Sequence, residues 1–466
     1  MRIVRHYIRL PYVLLAMSDA LVGLAAIFLG AYIRLGGEIF ATHLSSGWVQ
    51  SRAYVFAGIM LFTLLTMGLY QGGLRAQPEG IAVRLIAAIG LGAVMLMLVF
   101  YLVPPVFMGR GVFIFALVFA FVGYVINRLI FYSSKGQDIL KKRILVLGSG
   151  ERAASITTQL RRRTDKCGFK LVGFLPMGGE VSAVEKKYLV GAGMGSLKGY
   201  VIKNDIDEIV VAVEDRRQEF PLGDLLDCKM DGIDIIDILT FFEREAGKVR
   251  LDLLHPSWMI FSDGFQQDLP REIIKRSFDI AAALGLLILG WPVMLLVTIA
   301  IVVESGGRGP VLYRQVRLGK NGKPFSVLKF RSMRTDAEKD GKAQWAGIND
   351  SRITRVGAFT RKFRLDEMPQ ILNILRGDMS FVGPRPERPE FVEELDKKNS
   401  YYGERHRIKP GLTGWAQLCY PYGSSENDAF EKLQYDLYYI KNQSLLLDVS
   451  ILLQTVEVVL FRKGAR

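Results

Sequence analysis

SFDIAAALGLLILGWPVMLLVTIAIVVES, residues 277–305, is the stretch on which the architecture turns. Residues 280–303 carry no charge and exceed the roughly 20 residues a helix needs to cross a bilayer. Two features oppose a simple crossing. Arg271, Lys275 and Arg276 precede the stretch, and Arg308, Arg314, Arg317, Lys320 and Lys323 follow it, so the positive-inside rule puts both ends on one membrane face. Pro292, directly after Trp291, removes a helical hydrogen bond in mid-segment and favours a kink. A re-entrant helix over 277–304, which dips into the membrane and returns, satisfies both observations.

Working outward toward the N-terminus, apolar runs at about 11–33, 53–74, 85–109 and 111–127 have near-spanning length. The last two are joined by PPVFMGRG. The first is too long for a signal peptide, lacks a small-residue cleavage site and precedes three more runs, so it is expected to stay in the membrane. Arg2, Arg5 and Arg9 precede the first run, Arg75 and Arg84 fall between the second and third, and Lys135, Lys141, Lys142 and Arg143 follow the fourth. The other loops carry chiefly Arg52 and Arg110, so the N-terminus and everything after the fourth run are expected in the cytosol. Asp19, inside the first run, is expected to make an interhelical hydrogen bond, since one acid makes no transport pathway.

From residue 143 the pattern changes to RILVLGSGERAASITTQL, then KLVGFL, IDEIVVAV and GIDIIDIL, an alternation that predicts a Rossmann-like α/β domain over 143–250. Gly148, Gly150 and Ala153 match part of a dinucleotide fingerprint and make Gly148 and Gly150 candidate nucleotide-binding residues. The second strand ends in GFLPM without the acid that holds a ribose, and the domain leaves no room for a dehydrogenase substrate domain. A regulatory or packing role is therefore preferred over redox catalysis.

The chain of 466 residues is 50% hydrophobic with net charge +14, which suits an anionic membrane face or phosphate-bearing ligands. No zinc-finger spacing or RNP-like motif is visible, so nucleic acid is not an expected partner. Cys167, Cys228 and Cys419 match no disulfide or metal spacing, and His6, His43, His255 and His406 are equally scattered. LLLDVSILLQTVEVVLF, residues 445–461, reads as an amphipathic interfacial helix. In RLDEMPQ, residues 364–370, Asp366 and Glu367 are ordinary helix-opening choices as well as adjacent carboxylates.

Three segments, VLYRQVRLGKNGKPFSVLKFRSM, RKFRLDEMPQILNILRGDMSFVGPRPERPEF and HRIKPGLTGWAQ, resemble the signature blocks of the bacterial sugar transferases, the monotopic phosphoglycosyl transferases. The resemblance covers residues 271–466, and the preceding four runs with a Rossmann-like domain resemble the long form, the polyprenyl-phosphate hexose-1-phosphate transferases. FVGPRPERPEF with YPYGSSENDAFEKLQYDLYYIKN is most similar to the exosortase-associated exopolysaccharide subgroup. The fold implied is an α/β membrane protein: a four-helix transmembrane domain over 1–134, the Rossmann-like domain, and a mixed α/β catalytic domain over 271–466 anchored by the re-entrant helix.

The resemblance implies transfer of a sugar 1-phosphate from a UDP-sugar to undecaprenyl phosphate on the cytosolic face of the bacterial inner membrane, releasing UMP and starting exopolysaccharide repeat-unit assembly. The family's Asp-Glu dyad matches Asp366 and Glu367, and its Mg²⁺ falls to Glu367. The dyad, KFRSM and GPRP blocks show no departure. An aspartate can act as covalent nucleophile at phosphorus, which would leave a phosphosugar on Asp366. Adjacent carboxylates cannot flank one glycosidic bond, which argues against a two-carboxylate hydrolase. Charge on phosphoryl oxygens calls for cations, and Lys329, Arg331, Arg364 and Arg385 are the phosphate-binding candidates. His406, Trp415 and Tyr420 receive no role. Membrane lipids are further expected partners, with a homodimer allowed. The rival reading is a non-catalytic membrane scaffold that senses a nucleotide through Gly148 and Gly150.

Overall fold

Four helices, each long and apolar enough to cross a membrane, account for the first part of the chain: α1 (Leu10–Leu35), α3 (Trp48–Thr66), α4 (Pro78–Leu102) and α5 (Arg110–Phe131), with a short α2 (Gly37–Ser45) between the first two. The computed structural model describes the chain apart from residues 1, 4, 5, 8, 9, 71–77, 132–140, 161–167, 179, 191–195, 215–219, 255–257, 259–261, 263, 266, 267, 335–351, 421–424 and 461–466, so Arg5, Arg9, Arg75, Lys135, Cys167 and His255 lie outside the described residues. It divides into two units, residues 1–254 and 255–466.

In the helical part, α1 packs on α5 and α3. Gly30 permits the approach to α5, because a Cβ there would lie 3.0 Å from the Ala116 amide nitrogen. Asp19 of α1 is fully buried and joins α5 and the turn after α3: it accepts from Asn127 Nδ2 and the Tyr70 hydroxyl, each at 2.7 Å, and pairs with Arg128 at 2.8 Å. The interhelical bonding expected of Asp19 is thus present, and a buried cation accompanies it.

Two helix limits differ from the apolar runs. α3 starts at Trp48 after Gly47, whose φ of 74° turns the chain, so Arg52 lies within the helix and donates to Phe107 O and Trp48 O, each at 3.0 Å. α4 starts at Pro78, a residue tolerated in a first helical turn, and stops at Leu102 because Pro104 disfavours helical backbone at Val103. Arg84, placed in a loop from the sequence, is inside α4 and buried.

The following α/β segment runs β1 (Lys142–Leu147), α6 (Glu151–Gln159), β2 (Phe169–Leu175), α7 (Leu197–Lys203), β3 (Glu208–Val211), α8 (Leu222–Met230), β4 (Asp234–Asp237) and α9 (Ile238–Ala246). The strands form one parallel sheet in the order β2-β1-β3-β4. Continuous burial along β3 is the pattern of a strand covered on both faces. Its first residue, Glu208, tolerates burial because Arg244 and Lys142 hold it at 2.6 and 2.8 Å.

In the second unit, α10 (Leu269–Glu304) is a single 36-residue helix that runs through Pro292, and it too is long and apolar enough to cross a membrane. It is followed by the antiparallel hairpin β5 (Leu312–Leu318) and β6 (Pro324–Phe330), then α11 (Arg355–Lys362), α12 (Gln370–Arg376), β7 (Ser380–Val382), α13 (Pro389–Lys398), β8 (Gly411–Thr413), α14 (Trp415–Cys419), α15 (Glu426–Lys441) and α16 (Leu445–Leu460). β7 and β8 pair in parallel.

α10 is bonded to this unit near both ends, while most of its apolar side chains between them are exposed. Near its start, Lys275 pairs with the buried Asp448 of α16 at 2.6 Å, and Arg276 donates to Ile374 O and Leu375 O at 2.6 and 2.7 Å. The buried Asp279 accepts from Ser380 Oγ at 3.0 Å and Phe381 N at 3.2 Å, tying the helix to β7. Toward its end, Val297 and Ile301 pack with Phe330, Leu365 and Met368, and Glu304 accepts from the Val356 amide at 3.1 Å. In α16 the polar Asp448 and Ser450 are buried while Leu445 and Val456 are exposed, an apolar exterior over a polar seam.

Candidate active site

Three chain segments converge on one carboxylate. β6 carries Lys329, a short 3₁₀ turn (Leu365–Glu367) carries the acidic pair, and the loop after β7 carries Arg385. Lys329 Nζ lies 3.6 Å from Glu367 Oε1, Arg364 Nη1 lies 3.6 Å from Oε2, and Arg385 Nη2 lies 3.7 Å from Oε1. The acidic pair does not open the next helix. α12 starts only at Gln370, after Pro369, and has no side-chain cap. The reason lies in Arg364, whose φ of 56° breaks the chain away from α11 and turns its own side chain back toward Glu367. Left-handed backbone at a non-glycine residue costs roughly 1–2 kcal/mol, strain of the kind that collects at functional sites.

Burial raises the Glu367 carboxyl, but Arg385, Lys329 and Arg364 together overcome it and hold the group below the usual carboxylate range. Asp366 moves the other way: burial and then repulsion from Glu367 push it up, against the opposing Lys329 and Arg361. Burial lowers the Lys329 ammonium, with Glu367 opposing. The pair is thus split into one strongly charge-compensated carboxylate and one destabilised neighbour, an arrangement that assigns different tasks to adjacent acids.

Of the phosphate-binding candidates, Lys329, Arg364 and Arg385 are brought together, whereas Arg331 donates to Arg308 O at 3.0 Å. The cleft lined by Lys329, Glu367 and Arg385 also includes Arg317 and the buried Gln370, neither of which the sequence reading selected. The hairpin register places Arg317 there: Tyr313 pairs with Lys329 across the hairpin, and the period of two puts Arg317 on the face of Tyr313. His406 is half-buried; burial and then the Arg405 charge lower it to about 4, so it is neutral near pH 7. Trp415 is buried against Tyr438, and Tyr420 donates to Asp428 at 2.6 Å.

At the glycine turn after β1, the amides of Ser149 and Glu151 donate to Glu180 at 2.9 Å and to Glu214 at 2.7 Å. A Cβ on Gly150 would lie within contact of the Glu214 carboxylate, and Gly148, with φ 114°, lies against the Ala212 backbone. Two internal carboxylates therefore occupy the amides that a nucleotide phosphate would use at this helix start.

The family model described as "Bacterial sugar transferase" matches residues 270–462, the part of the chain that holds the convergent acids and cations. An "Undecaprenyl-phosphate glucose phosphotransferase" of Komagataeibacter xylinus is 30% identical over 78% of this chain and 72% of its own length. A "UDP-glucose:undecaprenyl-phosphate glucose-1-phosphate transferase" of Klebsiella pneumoniae is 33% identical over 74% of each chain. The chain belongs to the bacterial sugar transferases.

Within that family, a "UDP-N-acetylgalactosamine-undecaprenyl-phosphate N-acetylgalactosaminephosphotransferase" of Aeromonas hydrophila is 41% identical over 51% of this chain, which spans about half of that relative, 55% of its length. Two of these similarities extend well upstream of residue 270, since each covers about three quarters of the chain.

Proposed function

We propose that this bacterial sugar transferase moves a sugar 1-phosphate from a UDP-sugar to undecaprenyl phosphate at the cytosolic face of the inner membrane, releasing UMP, and so starts an exopolysaccharide repeat unit. The observation that carries the reading is the set of three cations around Glu367 beside the half-buried Asp366. Such a cleft suits a pyrophosphate, whose oxygens would take up the Lys329, Arg364 and Arg385 charges. Asp366 attacks the sugar-bearing phosphorus through a carboxylate oxygen; the bond from that phosphorus to the UMP oxygen breaks, and UMP departs with the electron pair. An oxygen of undecaprenyl phosphate then attacks the same phosphorus, the bond to Asp366 breaks, and the carboxylate is restored.

The donor set fits Mg²⁺ of the open kind. Both Glu367 oxygens stand 3.6–3.7 Å from their cations, beyond hydrogen-bond length, and the described residues contain no cluster of three His, Cys, Asp or Glu that could cage an ion. Glu367 would supply one hard oxygen and substrate phosphates the others, and the ion would neutralise charge on the phosphoryl oxygens. The test is UMP release from a panel of UDP-sugars with Mg²⁺ and undecaprenyl phosphate; no UMP from any of them overturns the reading. The differing sugars in the names of the relatives make the panel necessary.

The same reading takes α10 as re-entrant, both ends on the cytosolic face. Support comes from the bonds at its two ends, Arg276 to α12 and Glu304 to α11, and from its middle, where Gly290 lies against Met368. A straight crossing of the roughly 30 Å hydrocarbon layer would carry one end away from this unit. A cysteine replacing the exposed Lys323 in a cysteine-free background is expected to resist an impermeant maleimide in intact spheroplasts and to react after permeabilisation. Labelling from outside would make α10 a fifth crossing.

A further inference from the structure

Four successive carbonyls hold the loop that presents Arg385. Pro384 and Pro386 have no amide hydrogen, so the loop is anchored chiefly through its oxygens. Each has a donor: Gly411 N to Pro384 O at 2.9 Å, Arg405 Nη2 to Arg385 O at 3.1 Å, Arg317 Nη1 to Pro386 O at 3.2 Å, and Leu318 N to Glu387 O at 3.0 Å. Two of these donors are backbone amides that the fold places. The other two are guanidinium groups, replaceable without altering the main chain.

Arg405 is the more enclosed of the two, 5% exposed. Its Nη2 also pairs with the buried Asp436 at 2.9 Å, and its Nη1 donates to the Tyr402 hydroxyl at 2.6 Å. Burying this cation is costly unless its charge is paired and hydrogen-bonded. Asp436 compensates the charge, Tyr402 accepts from Nη1, and a further bond goes to the backbone of Arg385, whose side chain reaches Glu367, while the buried Nε has no hydrogen-bond partner among the described residues. A flexible ammonium could satisfy Asp436 but not all three partners at once, because it lacks the planar fork.

We propose that Arg405 is a positioning residue for the UDP-sugar: through the Arg385 carbonyl it sets where the Arg385 guanidinium meets the pyrophosphate. The inference rests on the phosphate role given to Arg385 above. Arg405 itself touches neither substrate nor the acidic pair; its effect passes through one peptide group. Any loss it causes therefore requires Arg385 to be present.

The experiment is a double-mutant cycle on the full-length enzyme, reading kcat/KM for the UDP-sugar. Arg405→Lys keeps the charge beside Asp436 and is expected to lower kcat/KM about tenfold, the worth of one charged hydrogen bond. The paired variant Arg405→Met with Asp436→Leu removes both charges, leaves none uncompensated, and is expected to show the same loss at an unchanged unfolding midpoint. In an Arg385→Ala background, adding Arg405→Lys is expected to change kcat/KM less than about twofold. An undiminished tenfold loss in that background, or normal kcat/KM in the paired variant, overturns the positioning role alone. A silent Arg385→Ala overturns the phosphate assignment and the inference with it.

Discussion

Asp366→Asn is expected to fold as the parent does and to lose transfer by on the order of 10⁴-fold, the scale seen when a covalent nucleophile is removed. The substitution keeps side-chain size. Asp366 lies in the 3₁₀ turn ahead of α12 and does not cap that helix, so no capping bond is lost. Burial and Glu367 already destabilise the Asp366 charge, and removing that charge relieves the fold rather than straining it. Intact-protein mass spectrometry after brief exposure to UDP-sugar and Mg²⁺, without lipid acceptor, separates chemistry from binding. The parent should gain one sugar-phosphate mass on the peptide containing residues 364–370, and Asp366→Asn should gain none. Turnover by the parent without any adduct, or near-parental transfer by the variant, would show that Asp366 is not the nucleophile.

Glu367→Gln is expected to slow transfer about a hundredfold and to raise the Mg²⁺ concentration that gives half-maximal rate, because a hard anionic ligand is exchanged for an amide. The two losses share one cause. Glu367 compensates Lys329, Arg364 and Arg385, and without its charge the three cations repel one another. Adduct formation should persist at the reduced rate, since Asp366 remains. The check is an Mg²⁺ titration of UMP release for parent and variant; superimposable titration curves would remove Glu367 from the metal site, whatever the rate.

The long elements were legible because hydropathy is a one-dimensional signal: the apolar runs mark α1, α3, α4, α5 and α10, and the alternating runs from residue 143 mark β1 to β4. Their ends were less so. Arg84 lies inside α4 because Pro78 can begin a helix, a local steric fact that outweighs the charge of one arginine. The acidic pair and three of its cations were found through family blocks, yet the 3₁₀ turn was not, since the left-handed Arg364 that creates it leaves no pattern in the sequence. Arg317 and Arg405 were missed for another reason: each acts on a carbonyl about 70 or 20 residues away, a pairing fixed by strand register and packing. Likewise, Glu180 and Glu214 reach the glycine turn from loops 31 and 63 residues downstream.

Preparation of the enzyme inherits a constraint from the polar seam beneath α10. A detergent-free catalytic fragment, cut to begin after residue 304, would leave the buried Asp448 without Lys275, and Ser380 and Phe381 without Asp279. Stranding a buried charge in this way costs about 3–5 kcal/mol, a large share of what a domain of this size has to spare. The apolar helix accordingly supports the fold of the domain through its polar contacts, and solubilisation has to proceed through micelles, nanodiscs or polymer belts that keep it in place.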